Sequence, residues 1–298
     1  MPDRSKQGVQ PLLDFLQGKS EEVQRISKID RCGLSYTDKV ALITGGTKGM
    51  GAGCARVFVD AGAKVMICGR DTQAGNKVAK ELTAQGPGAC VFEKCDVSRP
   101  EEVRLLINRT VEHFGRLDCL FNNAGYHPPL GPIDDVTLED VTSLLQTNFV
   151  SQVAACKYAL PHLRKTRGTI VNMGSCTGVL GQEGGALYAG TKGAISAFTK
   201  SLAIEEARHG VRVNAVLPGN IYTDSRARMV KELGVTGAEV DRWAEANQPI
   251  GRSGTPEEVG QVVLFLATSA SSYLTGIELM ISSGIELGTG VKYPPLWL

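Results

Sequence analysis

Seven short apolar runs, separated by stretches with helical patterning, constrain the fold of this chain more than any other feature. The runs cover residues 40–44, 64–68, 89–93, 119–122, 169–173, 211–217 and 278–281. They are largely apolar throughout, and strands of this kind are buried on both faces of a parallel sheet. Strands that alternate with helices form βαβ units. The sequence therefore predicts an α/β fold with a doubly wound, seven-stranded, parallel Rossmann-type sheet.

Most of the chain fits one domain. No linker-like change in composition interrupts residues 39–287, so we expect a single domain over residues 37–298. Residues 1–36 differ, because their apolar side chains are spaced irregularly and fit at most one or two short amphipathic helices. We interpret them as an N-terminal extension that is either mobile or docks a partner.

Charge and cysteine content narrow the class of protein. The chain has 32 basic and 31 acidic residues, so no basic surplus favours nucleic acid as a partner. No apolar stretch approaches the ~20 residues that a membrane helix needs, and the N-terminus lacks the apolar core of an export signal. The 8 cysteines include no Cys-x-x-Cys pair, which favours reduced thiols, a cytoplasmic location and no metal site.

A glycine-rich turn, Thr44-Gly45-Gly46-Thr47-Lys48-Gly49-Met50-Gly51, follows the first run directly, and a helical pattern over residues 52–61 comes next. A helix N-terminus offers unpaired N–H groups and the positive end of the helix dipole, so a pyrophosphate can bind there if no Cβ obstructs it. The turn after the first strand of a doubly wound sheet is where dinucleotides bind. The expected contacts are Gly45, Thr47, Lys48, Gly49, Met50 and Gly51.

The end of the second run favours NADP over NAD. NAD-binding proteins carry an acidic residue there for the ribose hydroxyl, but this chain has Gly69 followed by Arg70. Arg70 can stack on adenine and pair with a 2′-phosphate, and Lys48 adds positive charge nearby. The alternative is that both are solvated surface cations. Asp96 and Val97 follow the third run, where Asp96 either accepts a bond from the adenine amino group or caps the helix near Pro100.

Tyr188 and Lys192 suggest the chemistry. They are one turn apart on a predicted helix over residues 188–207 and so share a face. Oxidising an alcohol requires a base, and a tyrosine can serve if a nearby ammonium lowers its pKa from about 10. Ser175 follows the fifth run and could hold the substrate oxygen at the carboxyl edge of the sheet, where ligands bind. The alternatives are a loop-capping serine and a surface Tyr–Lys pair.

Together these motifs resemble the short-chain dehydrogenase/reductase family over residues 38–290. The resemblance rests on Thr-Gly-x-x-x-Gly-x-Gly at 44–51, Asn122-Asn123-Ala124-Gly125, Ser175 and Tyr188-Ala-Gly-Thr-Lys192. Segments 122–129, 181–182, 218–223 and 275–288 resemble its 17-beta-hydroxysteroid dehydrogenase type 14 branch more closely. That branch implies oxidation of a steroid hydroxyl or a free sugar such as fucose with NAD, by a cytosolic tetramer. Gly69 and Arg70 depart from it, because the branch has an acidic residue there.

The resemblance also implies further site residues. Asn123, Ala124, Gly125, Pro218, Gly219, Ile221 and Thr223 would contact the cofactor, together with Tyr188 and Lys192. Asn148, in an apolar helical stretch, would anchor a water that relays protons to Lys192; the alternative is a satisfied core amide.

His127, Gln182 and Tyr222 follow the fourth, fifth and sixth runs and are candidate substrate residues beside Ser175. A surface role is the alternative for His127. Leu180, Ile221 and Met229 would supply apolar walls to the substrate pocket. Residues 225–247 would form a helical lid. The tail 284–298, with Tyr293 and Trp297, would cover the pocket of a neighbouring subunit in a homotetramer. A free tail is the alternative.

The sequence thus predicts an NAD(P)-dependent oxidoreductase that interconverts a secondary alcohol and a ketone on a hydroxysteroid or sugar-like small molecule. Three alternatives stay open. The chain could be a catalytically idle NADP-binding regulator, a reductase of other carbonyl compounds such as 3-oxoacyl compounds, or a sugar epimerase or dehydratase.

Overall fold

The computed structural model describes residues 34–223 and 234–287, which contain a seven-stranded parallel sheet. Its strands are β1 Val40–Ile43, β2 Lys64–Gly69, β3 Ala89–Lys94, β4 Cys119–Asn122, β5 Thr169–Met173, β6 Arg212–Pro218 and β7 Glu278–Ile281. Their order is β3-β2-β1-β4-β5-β6-β7, and every neighbouring pair is parallel. The predicted doubly wound Rossmann-type fold is confirmed, with each predicted run on a strand.

Helices connect the strands. They are α1 Gly49–Asp60, α2 Thr72–Gln85, α3 Pro100–Phe114, α4 Leu138–Leu145, α5 Ser151–Thr166, α6 Thr177–Leu180, α7 Ala186–Ala207, α8 Gly237–Asn247 and α9 Pro256–Ala267. A π-helical segment, Gln146–Val150, joins α4 to α5. Short 3₁₀ turns occupy Ile133–Asp135, Ser269–Ser271 and Ile285–Leu287. Within the described ranges no helix is long and apolar enough to cross a membrane.

Burial accounts for the continuous apolar character of the central strands. Every residue of β1, β4 and β5 is buried, because helices cover both faces of a parallel sheet. Local signals place the helix starts: α4 and α9 each begin with a capping box, Thr137 with Asp140 and Thr255 with Glu258.

The strand order reverses at β1, which lies between β2 and β4. Loops that leave neighbouring strands in opposite directions open a crevice at the carboxyl edge of such a sheet. Thr44 links the two loops here: its Oγ1 accepts hydrogen bonds of 3.0 Å from the backbone N–H groups of Asn123 and Ala124. These bonds hold the loops after β1 and β4, which carry predicted cofactor residues, against each other at the crevice.

Some predictions fall outside the described residues. Of the predicted extension over 1–36, only the last three residues are described. Met229, Tyr293 and Trp297 also lie outside the described residues. Helix α8 covers the second part of the predicted lid over 225–247, but residues 224–233 are not described. These proposals stay predictions.

Candidate active site

The glycine turn depends on its glycines. Gly45 and Gly49 adopt φ values of +65° and +53°, which other residues rarely adopt. A Cβ on Gly51 would lie 2.3 Å from the carbonyl oxygen of Gly45. Gly51 therefore allows helix α1 to start directly under the turn, and a side chain there would separate the two.

The N-terminus of α1 is open to an anion. Its N-cap residue, Lys48, makes no side-chain capping bond, and the first turn contains no acidic residue. Unpaired N–H groups at a helix N-terminus bind phosphate, and the exposed lysine adds positive charge. The unpaired N–H groups of this helix end and the charge of Lys48 therefore fit the pyrophosphate of a dinucleotide.

NAD-binding proteins carry an acidic residue at the end of β2, but here the Thr47 side chain fills the space beside Gly69. A Cβ on Gly69 would lie 2.9 Å from Thr47 Cγ2. The next carboxylate along the chain, Asp71, is used as the N-cap of α2, where it accepts a 3.0 Å bond from Ala74 N–H. Arg70 is exposed and forms no ion pair within the described parts of the chain.

The proposal that Asp96 caps helix α3 is wrong. The N-cap residue is Arg99, which makes no side-chain capping bond. Asp96 Oδ1 instead accepts bonds from Ser98, 3.0 Å from its N–H and 2.8 Å from its hydroxyl, so the carboxylate closes a local turn before the helix. Burial tends to raise the Asp96 pKa, but the bonds from Ser98 and the charge of Arg70 hold the pKa below its usual value. Asp96 and Arg70 thus interact at the adenine end.

Helix α7 brings the candidate catalytic residues together. Lys192 Nζ lies 5.6 Å from the centre of the Tyr188 ring, on the face that their spacing predicts. Ser175 is buried after β5, hydrogen-bonds to Tyr188, and accepts a 2.9 Å bond from the Thr177 hydroxyl. A hydroxyl and a phenol thus meet at one point of the crevice.

The expected lowering of the Tyr188 pKa is not what the structure gives. Burial raises the pKa of Tyr188 to about 12, although its hydrogen bond with Ser175 acts in the opposite direction. Burial also lowers the pKa of Lys192 to about 7. Lys192 does not lower the Tyr188 pKa because burial removes hydration from its ammonium as well. In addition, Lys192 Nζ donates its 2.7 Å bond to the carbonyl of Met173 rather than to the phenol.

Two groups in this arrangement were missed by the sequence reasoning: the Met173 carbonyl and Gln152. Gln152 is buried on α5, and its Nε2 lies 3.4 Å from the same carbonyl oxygen that holds Lys192. A buried glutamine in an apolar helix stretch was the only available signal. A backbone carbonyl gives none.

Asn148 lies in the π-helical segment and is fully buried. Its Oδ1 accepts a 3.0 Å bond from Tyr126 N–H, and its Nδ2 donates a 2.9 Å bond to the Tyr126 carbonyl. The side chain is therefore a satisfied core amide that fixes the loop after β4, and the water relay to Lys192 stays a prediction. Gly125 permits this close approach, because a Cβ there would lie 3.0 Å from Asn148 Oδ1.

His127 and Gln182 converge on Tyr188, the candidate catalytic tyrosine. The His127 ring lies 4.1 Å from the Tyr188 ring, centre to centre, and is tilted by 39°. His127 Nε2 is 2.9 Å from Gln182 Oε1, and His127 Nδ1 is 2.5 Å from the Pro128 carbonyl oxygen. Loops from β4 and β5 thus form one polar wall beside the phenol.

The loop after β6 brings only some of its predicted site residues to the crevice. Tyr222 is 70% exposed, and among the described residues no hydrogen bond joins it to His127 or Gln182. Thr223 approaches the glycine turn, since a Cβ on Gly49 would be 3.7 Å from its Cγ2. The Pro218 carbonyl accepts a 3.1 Å bond from Cys176 N–H, which links the loops after β5 and β6, and Ile221 is buried.

Comparison with known proteins identifies the family. A family model described as enoyl-(acyl carrier protein) reductase matches residues 45–286. The L-fucose dehydrogenase of *Oryctolagus cuniculus* is 46% identical over 258 residues, covering 87% of this chain and 88% of that protein. The chain belongs to the short-chain dehydrogenase/reductase family.

Further similarities agree. The L-fucose dehydrogenase of *Bos taurus* is 44% identical over 260 residues, covering 87% of this chain and 94% of that protein. A solved short-chain type dehydrogenase/reductase from *Mycobacterium ulcerans* superposes with a TM-score of 0.80 at 29% identity, covering 86% and 93% of the two chains. The protein is an NAD(P)-dependent oxidoreductase that interconverts an alcohol and a ketone.

Proposed function

We propose that this enzyme oxidises a free sugar, L-fucose or one with the same arrangement of hydroxyls. The observation that carries the proposal is the polar wall of His127 and Gln182 against the Tyr188 ring. A sugar presents a second hydroxyl beside the reacting one, and these side chains offer both donors and acceptors to it. The similarity to mammalian L-fucose dehydrogenases supports the same substrate.

Each side chain at the site has a separate role in the proposed reaction. Ser175 holds the reacting hydroxyl, and Tyr188 removes its proton as general base. A nicotinamide dinucleotide, held at the glycine turn, would supply the hydride-transfer chemistry when bound. Lys192 in its charged form stabilises the Tyr188 phenolate, while the Met173 carbonyl holds the ammonium in place. Asn148 orients the loop that carries His127, so the second hydroxyl meets a wall of fixed position.

NADP(H) is the proposed cofactor. Its support is the closed position at Gly69, together with Arg70 and Lys48 at the adenine end. A partly exposed Arg–phosphate pair contributes about 1–2 kcal/mol, which corresponds to a preference of about 5- to 30-fold over NAD(H).

A steroid alcohol is the second candidate substrate, and a specific observation favours it. Aliphatic side chains with large exposed fractions, Ile133 at 62% and Val179 at 56%, follow β4 and β5, the strands whose loops carry His127 and Gln182. Such side chains would suit a rigid apolar ring system beyond the reacting hydroxyl.

A homotetramer in the cytoplasm is also proposed. A groove of about 300 Å³ between α5 and α7 combines apolar side chains such as Val153, Leu160 and Phe198 with charged ones. A surface that mixes apolar and charged residues in this way suits a second copy of the chain. The seven described cysteines are free and buried, which agrees with a reducing compartment. Light scattering of the purified protein would give the number of copies.

A substrate panel tests the proposal. Nicotinamide absorbance is followed with L-fucose, other aldoses, a steroid 17-alcohol and a 3-oxoacyl thioester, each with NADP and NAD. We expect the highest kcat/KM for L-fucose. A higher value for the steroid would establish the second candidate, and no turnover with any alcohol would favour an idle binding protein.

A further inference from the structure

The amino edge of the sheet, opposite the catalytic crevice, carries a concentration of positive charge. Lys39 directly precedes β1, Arg167 lies between α5 and β5, and Arg212 is the first residue of β6. All three line one groove of about 410 Å³. Every residue lining it belongs to the described ranges, and none of them is an aspartate or a glutamate.

Among the residues that the structure describes, these cations form no salt bridge to a carboxylate, although Asp118 accepts a bond from the N–H of Val40 next to Lys39. In the described parts of the chain none of the three forms an ion pair. Arg212 donates instead to the carbonyls of Leu266 at 2.8 Å and Thr268 at 3.1 Å, at the end of α9. Carbonyl groups satisfy its N–H groups but do not neutralise its charge.

Helix dipoles offset only part of this charge. The groove lies at the C-termini of α5, α7 and α9, and each such end carries about half a negative charge. Three ends therefore supply roughly −1.5 against three full positive charges. A net positive groove is left.

The remaining lining suits an oxyanion. Ser269 and Ser272 add hydroxyl groups to the groove, and hydroxyls donate readily to phosphate oxygens, whereas the Thr268 hydroxyl donates to the Phe265 carbonyl at 2.9 Å. Arg167 is exposed, and its stem lies over Gly210, where a Cβ would be 3.4 Å from Arg167 Cγ. Its guanidinium has the fork geometry that binds phosphate through two N–H groups.

We propose that this groove binds a phosphate group, either as inorganic phosphate or as the phosphate of a small metabolite. The site is separate from the cofactor crevice, since the residues that form it lie where the strands begin rather than where they end. It does not depend on which alcohol the enzyme oxidises.

Isothermal titration calorimetry tests the proposal. The full chain is first saturated with whichever nicotinamide dinucleotide binds more tightly, because the glycine turn also attracts phosphate. Inorganic phosphate and glycerol 3-phosphate are then titrated separately at constant ionic strength. We expect saturable binding of at least one of them. Binding of both shows that the groove recognises phosphate itself, and binding of the ester alone shows a metabolite site.

Arg167→Gly is the decisive variant. Arg167 has a φ of +50°, a left-handed conformation that glycine adopts without steric strain, which offsets the entropic cost of glycine, so the variant should fold. We expect it to weaken phosphate binding at least about tenfold, since a charge-assisted, two-pronged contact is lost. The matched control is Arg208→Ala, an exposed arginine outside the groove lining, which should change the affinity less than about twofold.

Three results would overturn the proposal. They are no saturable binding by the dinucleotide-saturated wild type, unchanged binding by Arg167→Gly, and an equal loss in Arg208→Ala, which would show general charge attraction only.

Discussion

The two ends of the crevice are built by different means. At the glycine turn the shape is set by backbone, where Gly51 leaves no space for a Cβ beside the Gly45 carbonyl. Around Tyr188 it is set by side chains from separate loops, with His127 and Gln182 held against the phenol. A backbone-built end should tolerate almost no change, whereas a side-chain-built end can change its ligand without losing the fold.

Gly51→Val should have the largest effect on dinucleotide binding. Its side chain would overlap the Gly45 carbonyl, and overpacking of this kind costs about 1–3 kcal/mol, so dinucleotide affinity should fall by up to about 100-fold. Fluorescence titration with NADPH measures it. The matched control is Gly237→Ala, where a Cβ meets nothing within 4 Å. Normal NADPH affinity in Gly51→Val would show that the turn is not the dinucleotide site.

The Tyr188–Lys192 pair should set the pH dependence. With a Tyr188 pKa raised to about 12, the phenol is protonated at pH 7, so alcohol oxidation should rise with pH, by at most about tenfold per unit. Ketone reduction needs the protonated phenol and should stay level over the same range. Lys192, whose pKa is lowered to about 7, helps only while charged.

Lys192→Met should therefore lower oxidation by about tenfold or more at and below about pH 7, where Lys192 is charged, and should have less effect at alkaline pH. Rate profiles in both directions check this. An unchanged oxidation profile would show that Lys192 does not stabilise the phenolate.

His127→Ala probes the side-chain-built end. An unpaired hydroxyl in a dry pocket costs about 1–3 kcal/mol, so KM for the true substrate should rise about tenfold with little change in NADPH affinity. Gln182→Ala should have a similar effect, and the double variant should lose less than the sum because the two side chains share one hydrogen bond. His209→Ala is the control, because the side chain of this partly exposed histidine accepts, among the described residues, only a 3.3 Å hydrogen bond from Arg208 Nε. An unaltered KM in both single variants would place the substrate elsewhere.

Arg70→Ala should change only the choice between the two dinucleotides. It removes the proposed contact to the 2′-phosphate, so the expected 5- to 30-fold preference for NADP should largely vanish while NAD kinetics stay the same. Arg99→Ala is a suitable control, because Arg99 is exposed and pairs with Glu102. A wild type that prefers NAD would mean that Arg70 is merely solvated.

The two ends also differ in how far sequence could predict them. The strands, the glycine turn and the Tyr188–Lys192 spacing follow from local patterns, because each depends on residues close together in the chain. The seat of Lys192 on the Met173 carbonyl and the direction of the Tyr188 pKa depend on burial between distant elements. Asp96 shows the same limit, since whether a carboxylate caps a helix or closes a turn is decided by backbone geometry over three residues.

The Tyr188→Phe variant separates the two ends of the crevice most directly. NADPH affinity and turnover of L-fucose are both measured on one preparation of this variant. Removal of a general base typically lowers the rate by at least about 10²-fold. We expect that loss of turnover together with an NADPH affinity within about twofold of wild type, because the hydroxyl does not shape the glycine turn. Near-normal turnover by the folded variant would contradict the assignment of Tyr188 as the base.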